Sequence, residues 1–188
     1  MTMDSKVVSR RIRGDIWSRL RTLGFGRFTE RTARRHRDRR VDVINFQSFN
    51  RYLADRVGCT TFSFSVNLGC FITFLPGYSP RPVREKGGVL LPQEYECQFR
   101  RRLQKTILQP ELLRTDTWFI GPNGEYLAES IIDAIQLIQQ EGIHWFERLS
   151  DDRELLRTLV EDDEGETYGF GAKQSPIRME LLKGFRGR

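Results

Sequence analysis

The chain has 188 residues, 30% of them charged and 38% apolar, a balance that excludes a disordered chain and suits one domain with its own core. No apolar run approaches the ~18 residues of a membrane span, and the opening Met-Thr-Met-Asp-Ser-Lys lacks the apolar stretch of a secretory signal. Within a net charge of +6, residues 1–58 hold 15 Lys/Arg against 6 Asp/Glu and residues 110–166 hold 4 against 15, so a basic front and an acidic back either face each other or meet charged partners.

Residues 5–23 are expected to form a helix. Val8, Ile12, Ile16, Leu20 and Leu23 make an apolar stripe, with Ser5 as N-cap and Gly24 as a left-handed stop. A hairpin follows, with strands Phe28–Arg35 and Val41–Phe49 and a turn within His36–Arg40. Its second strand places Ile44 and Phe46 on the core side and Asn45 and Gln47 on the opposite side.

The stretch Thr60–Phe74 alternates most clearly. Phe62, Phe64, Val66, Leu68, Cys70, Ile72 and Phe74 share one parity, and Thr61, Ser63, Ser65, Asn67 and Thr73 share the other. A period of two belongs to a strand, so this is the expected centre of the sheet. Fifteen residues exceed the usual strand length, and Gly69 is the expected site of a bend or bulge. The Pro- and Gly-rich segment 76–93 reads as a long mobile loop.

Glu94–Leu103 resumes alternation, with Tyr95, Cys97, Phe99 and Leu103 inward and Glu96, Gln98, Arg100 and Arg102 outward. A short strand is expected at Thr117–Ile120, ended by the turn Gly121–Gly124. From Glu125 to Glu141, Leu127, Ile131, Ala134, Ile135 and Ile138, widened by Ile132 and Leu137, describe a helix that covers the sheet and breaks at Gly142. His144–Leu149 is a helical turn, and Asp151-x-x-Glu154 opens another helix with a capping-box pattern. Glu161–Glu166 reads as a loose acidic stretch, and Ser175-Pro176 starts a last short helix.

The chain offers little catalytic chemistry. His36 and His144 are the two histidines, and Cys59, Cys70 and Cys97 are an odd, widely spaced set that reads as reduced thiols. Glu141-x-x-His144 occurs once and is interrupted by Gly142, so no metal is expected. No phosphate loop or nucleophile elbow is present, and no cofactor is expected.

Two features rise above this background. Arg34, Arg35, Arg37, Arg39 and Arg40 crowd the hairpin tip, where they could neutralise phosphates or guard a sheet edge. Asn45, Gln47, Ser65, Asn67, Gln98, Arg100 and Arg102 would share the polar sheet face, which could hold an anion or a peptide or lie plainly in solvent.

Three segments also resemble a bacterial family known as domain of unknown function 4304: Leu23-Gly24-Phe25, Val43–Ser48 and Phe64–Gly69. Cys97-Gln98-Phe99-Arg100-x-Arg102-Leu103 is similar to that family's Cys-His-x-Arg-x-Arg-Leu, with Gln98 where His is usual. Trp118 and the helix before Trp145 also fit. The resemblance covers most of residues 5–160 and implies a cytosolic α+β domain, with no established activity or cofactor.

The expected architecture is a single α+β domain, 1–188. Its core spans about 5–160, the loop spans 76–93 and a C-terminal extension spans 165–188. An antiparallel sheet of four to five strands has helices on one face. The expected role is a cytoplasmic, non-enzymatic binding protein that engages a protein partner through the polar face and basic hairpin, with no membrane contact. Accessory, immunity-like or defence-associated duty would fit. Nucleic-acid binding through the basic N-terminal half is one alternative. An enzyme on an anionic substrate, with Arg100 and Arg102 as clamps, is another.

Overall fold

A computed structural model describes residues 3–75, 82–161, 179 and 182–184. The expectations for 162–166 and for a helix opening at Ser175-Pro176 lie outside the described residues, as does the expectation of mobility for 76–81.

The N-terminal helical region comprises α1 (Ser5–Arg11), a π-helical turn (Ile12–Ile16) and α2 (Trp17–Thr22). Asp4, rather than Ser5, is the N-cap, its carboxylate accepting from the Val7 N–H at 2.9 Å. The helix ends as its glycine demands: Gly24 adopts φ +86°, with Gly24 N bonded to Arg21 O and Phe25 N to Leu20 O, a paired bond set that satisfies the last carbonyls.

Strands β1 (Arg27–Phe28), β2 (Thr32–Arg37), β3 (Arg40–Ser48), β4 (Phe64–Ile72) and β7 (Phe99–Arg102) form an antiparallel sheet in the order β1-β2-β3-β4-β7. Between β3 and β4 lies α3 (Arg51–Val57), capped by Asn50. β3, not β4, is the central strand; β4 lies beside it, inside the sheet, and has nine residues rather than fifteen. Thr60–Ser63 is instead a turn knitted by the Thr60 and Ser63 hydroxyls. The expected bulge at Gly69 is absent. Pairing runs unbroken from Ser48–Phe64 to Arg40–Ile72. Gly69 is there for space: an added Cβ would come 2.6 Å from Cys97 Sγ and 3.3 Å from Glu94 Cα.

The helix-side face follows the alternation. Phe64, Val66, Leu68, Cys70 and Ile72 are fully buried there with Ile44 and Phe46. Against them pack the N-terminal helices, α4 (Leu127–Leu137), a second π-helical turn (Ile138–Gly142), α5 (Ile143–Arg148) and α6 (Asp152–Glu161). An aromatic chain Trp17–Phe46–Phe64–Trp118, with ring centroids 5.5–5.6 Å apart, runs through this core. The architecture is therefore a single α+β domain with an antiparallel sheet and helices on one face.

Several local expectations give way. Gly142 does not break the helix; the chain passes through it in a π turn, with Leu68 Cδ1 3.5 Å from where its Cβ would be, so the glycine admits β4's side chain. Ile132 is exposed rather than buried. Thr117–Ile120 contributes a single bridge, Trp118 to Phe64, not a strand. Tyr95 is exposed, because Glu94–Glu96 is a 3-10 turn and not part of the strand. Within 76–93, β5 (Glu85–Lys86) and β6 (Val89–Leu90) make a small hairpin turned by Gly87 and Gly88 at positive φ.

Candidate functional site

The sheet face away from the helices is not uniformly polar. Its lower half is apolar: Val41, Val43, Phe71 and Cys97 form a second cluster, with Val83 and Leu90 packed against it. The β5–β6 segment is tied down over it by Arg34 Nε donating to Pro92 O at 2.7 Å and by His36 Nε2 lying 2.7 Å from Leu90 O.

The upper half carries the polar residues. Antiparallel register places Thr32, Asn45, Asn67 and Arg102 in one row across four strands. Asn45 Nδ2 donates to Thr32 Oγ1 at 3.0 Å. Asn67 Nδ2 donates to Gln47 Oε1 at 3.0 Å. Arg102 then reaches three acceptors, with Nε to Asn67 Oδ1 at 2.8 Å, Nη2 to Gln47 Oε1 at 3.2 Å and Nη1 to Asp116 Oδ2 at 2.9 Å. Arg114 grips Asp116 from the other side at 2.9 and 2.8 Å. Those bonds from Arg114 come first in holding the Asp116 carboxyl at about 2; burial opposes them and Arg102 assists. Ser65 lies beside this group, donating to Asp116 O.

Two residues expected on this surface serve otherwise. Gln98 is 1% exposed. Its amide accepts from Ile72 N and donates to Ile72 O, completing the backbone bonding at the end of β4 where β7 has stopped. Arg100 pairs with Glu94 at 2.7 Å, beside Gly69 rather than in the Asn67 row.

The arginines of the hairpin tip are turned inward. Arg35 and Arg37 both bond the fully buried Asp42, and both continue to Glu147 on α5. Arg37 also donates to Phe146 O and Ser150 Oγ. Arg39 and Arg40 pair with Asp152 at the start of α6, and Arg40 donates to Leu149 O. Arg34 is buried under Pro92. The basic front and the acidic back thus compensate each other at this corner.

Sequence reasoning missed Asp42 and Asp116, the counter-charges on the two faces. A lone acid among β-formers was the available signal for Asp42. Its partners Arg35 and Arg37 are near it on the hairpin, but the second acid on those arginines, Glu147 in α5, is more than a hundred positions away, so no local pattern reports the joint. Neither buried thiol is a ready nucleophile, since burial pushes Cys70 and Cys97 well above the ordinary range.

The segment from Leu103 to Asp116 projects beside the polar row. Lys105 Nζ is buried and donates to Gln109 Oε1 at 3.0 Å and Leu112 O at 2.8 Å. Gln109 in turn bonds both the N–H and the carbonyl of Phe119. Lys105 N to Thr115 O closes the stem at 2.6 Å. On this braced frame Leu108 and Leu113 are 83% and 81% exposed.

Among the described residues no helix is long and apolar enough to cross a membrane. A family model described as a domain of unknown function (DUF4304) matches residues 16–148. No curated protein and no solved structure matches.

Proposed function

We propose, for a chain that belongs to the DUF4304 family, a role as a non-enzymatic binding protein. A protein partner docks on the upper far face of the sheet and on the 103–116 segment beside it. One observation carries this reading: two leucines more than four-fifths exposed, held out on a segment that a buried lysine and glutamine brace from within. Exposing apolar side chains on an ordered frame disfavours solubility, and a partner that covers them meets a surface with little ordering entropy left to lose. The Gln47–Asn67–Arg102–Asp116 network supplies the polar rim.

The basic hairpin has no part in this contact, because its arginines are engaged by Asp42, Glu147 and Asp152. Arg100 and Arg102, the clamps that a catalytic reading would need, are likewise engaged by Glu94 and by Asn67 and Asp116.

The test immobilises the wild-type chain and a Leu108→Asp/Leu113→Asp variant, and quantifies proteins retained from extract of the source cell. A protein retained in near-equal amount to the bait, and reduced by about tenfold or more by the double substitution, supports the reading. Equal retention by both chains, or no such protein, removes it.

A further inference from the structure

Three clefts that share lining residues lead from the edge of the sheet at β1 to the tip end of the β2–β3 hairpin. The first, about 630 Å³, lies between the N-terminal helices and β1 and is lined by Lys6, Arg10, Arg13 and Arg21 together with Phe28 and Glu30. The second, about 500 Å³, shares Phe28 and Thr29 with the first and adds Arg27 and Lys86. The third, about 370 Å³, shares Arg27 and Val89 with the second and reaches His36. Together they form a track from α1 to the β5–β6 hairpin that shares no residue with the Asn67–Arg102 network.

The hairpin arginines Arg34, Arg37 and Arg40 also line the second and third clefts but are engaged there, and the other cations of the track differ from them in state. Among the described residues, Lys6, Arg10, Arg13, Arg21, Arg27 and Lys86 make no ion pair and no side-chain hydrogen bond, and Glu30 is the one acid among the residues lining the three clefts. The apolar stripe of the same helices (Val8, Ile12, Ile16, Leu20) is 0–1% exposed, so their basic side cannot lie on a bilayer with an apolar face inserted. Lys6 and Arg21 are 15 residues apart, about 20 Å along the axis at 1.5 Å per residue. That is too long for one phosphate and suits several phosphates in succession. Arg21 lies 4.7 Å over the Phe28 ring, and a stacked guanidinium of this kind offers a flat surface for a base. A concave track admits a flexible strand better than a duplex rod. The π turn that carries Arg13 is of a kind that recurs at functional sites.

We propose that this track binds single-stranded nucleic acid along its phosphate backbone, without reading base sequence. The experiment measures fluorescence anisotropy of labelled ~20-nucleotide oligothymidylate, and of mixed-sequence RNA of the same length, at about 50 mM salt. Both bind, and log K falls against log salt with a slope of about −3, as expected for some four phosphates neutralised on a single strand. Arg10→Glu/Arg13→Glu and Arg27→Glu/Lys86→Glu each weaken binding by about tenfold or more, while Arg51→Glu/Arg148→Glu changes it by less than about twofold. The two test pairs lie on different elements, so if circular dichroism shows that one has unfolded, the other decides. Absence of binding at low salt overturns the proposal. So does an equal loss in the Arg51/Arg148 pair, competition by polyglutamate as effective as by the oligonucleotide, or binding to phosphatidylserine vesicles alone.

Discussion

Asp116 shows how one side chain on the far face couples protonation to stability. Its folded-state carboxyl titrates at about 2, below the ordinary 3.8, chiefly through the bonds from Arg114 and with help from Arg102. A carboxyl lowered on folding contributes stability that is fully present above about pH 4 and is lost as pH falls towards 2. With solvent screening at a partly exposed site, the contribution is about 1 kcal/mol. Asp116→Asn removes the group that titrates, so its urea-unfolding free energy should fall less between pH 5 and pH 2.5 than that of the wild type. An equal fall in both would show that Asp116 is not the group responsible. Asp116 was not legible beforehand, because nothing local to it announces Arg102 across the sheet. Arg102 and Asn67 were legible, because alternation assigns a face before any partner is known. Gln98 had the right kind of side chain and the wrong assignment, since alternation cannot reveal that β7 begins at Phe99 and leaves β4's last backbone groups to be satisfied by an amide.

At the scale of elements, the β2–β3 hairpin is fastened to α5 and α6 by ion pairs of unequal weight. Asp42 is fully buried, and burial pushes its carboxyl up while Arg37 and Arg35 pull it down. Glu147, which holds the same two arginines from the helix side, is 52% exposed. Removing the buried partner leaves two cations facing a desolvated site, whereas removing the exposed one leaves them with Asp42. Asp42→Ala should therefore cost about 3–5 kcal/mol in denaturant unfolding, and Glu147→Ala below about 1 kcal/mol. Similar costs for both would mean that the clamp is a surface pair throughout. The arginine-dense tip looks in one dimension like a phosphate contact. The fold turns it into the joint between the basic and acidic halves, whereas Lys6, Arg10, Arg13 and Arg21 on the N-terminal helices and Arg27 on β1 make no ion pair among the described residues, and Glu30 is the one acid lining their clefts.

Taken whole, the molecule has one principal core, and this sets how it comes apart. The helix-side face was readable because Phe64, Val66, Leu68, Cys70 and Ile72 recur with the period of a strand, and Val8, Ile12, Ile16 and Leu20 with that of a helix. The far face was less readable. Val41 and Val43 share a strand face with Asn45 and Gln47, so its apolar and polar halves lie end to end, and only the return of the chain through Pro92 and Cys97 shows which half is covered. The second cluster is small and shares β3 and β4 with the first, so it has no sheet of its own to keep it folded. Trp17, Trp118 and Trp145 all lie in the principal core, 0–3% exposed, though they come from α2, the segment after β7, and α5. Loss of either helical end therefore opens the same packed interior, and cooperative unfolding follows. Tryptophan fluorescence and far-UV circular dichroism should give coincident guanidinium transitions with one midpoint. A fluorescence change completed before the helical signal moves would show that the N-terminal helices and α4–α6 melt as separate units around a sheet that outlasts them.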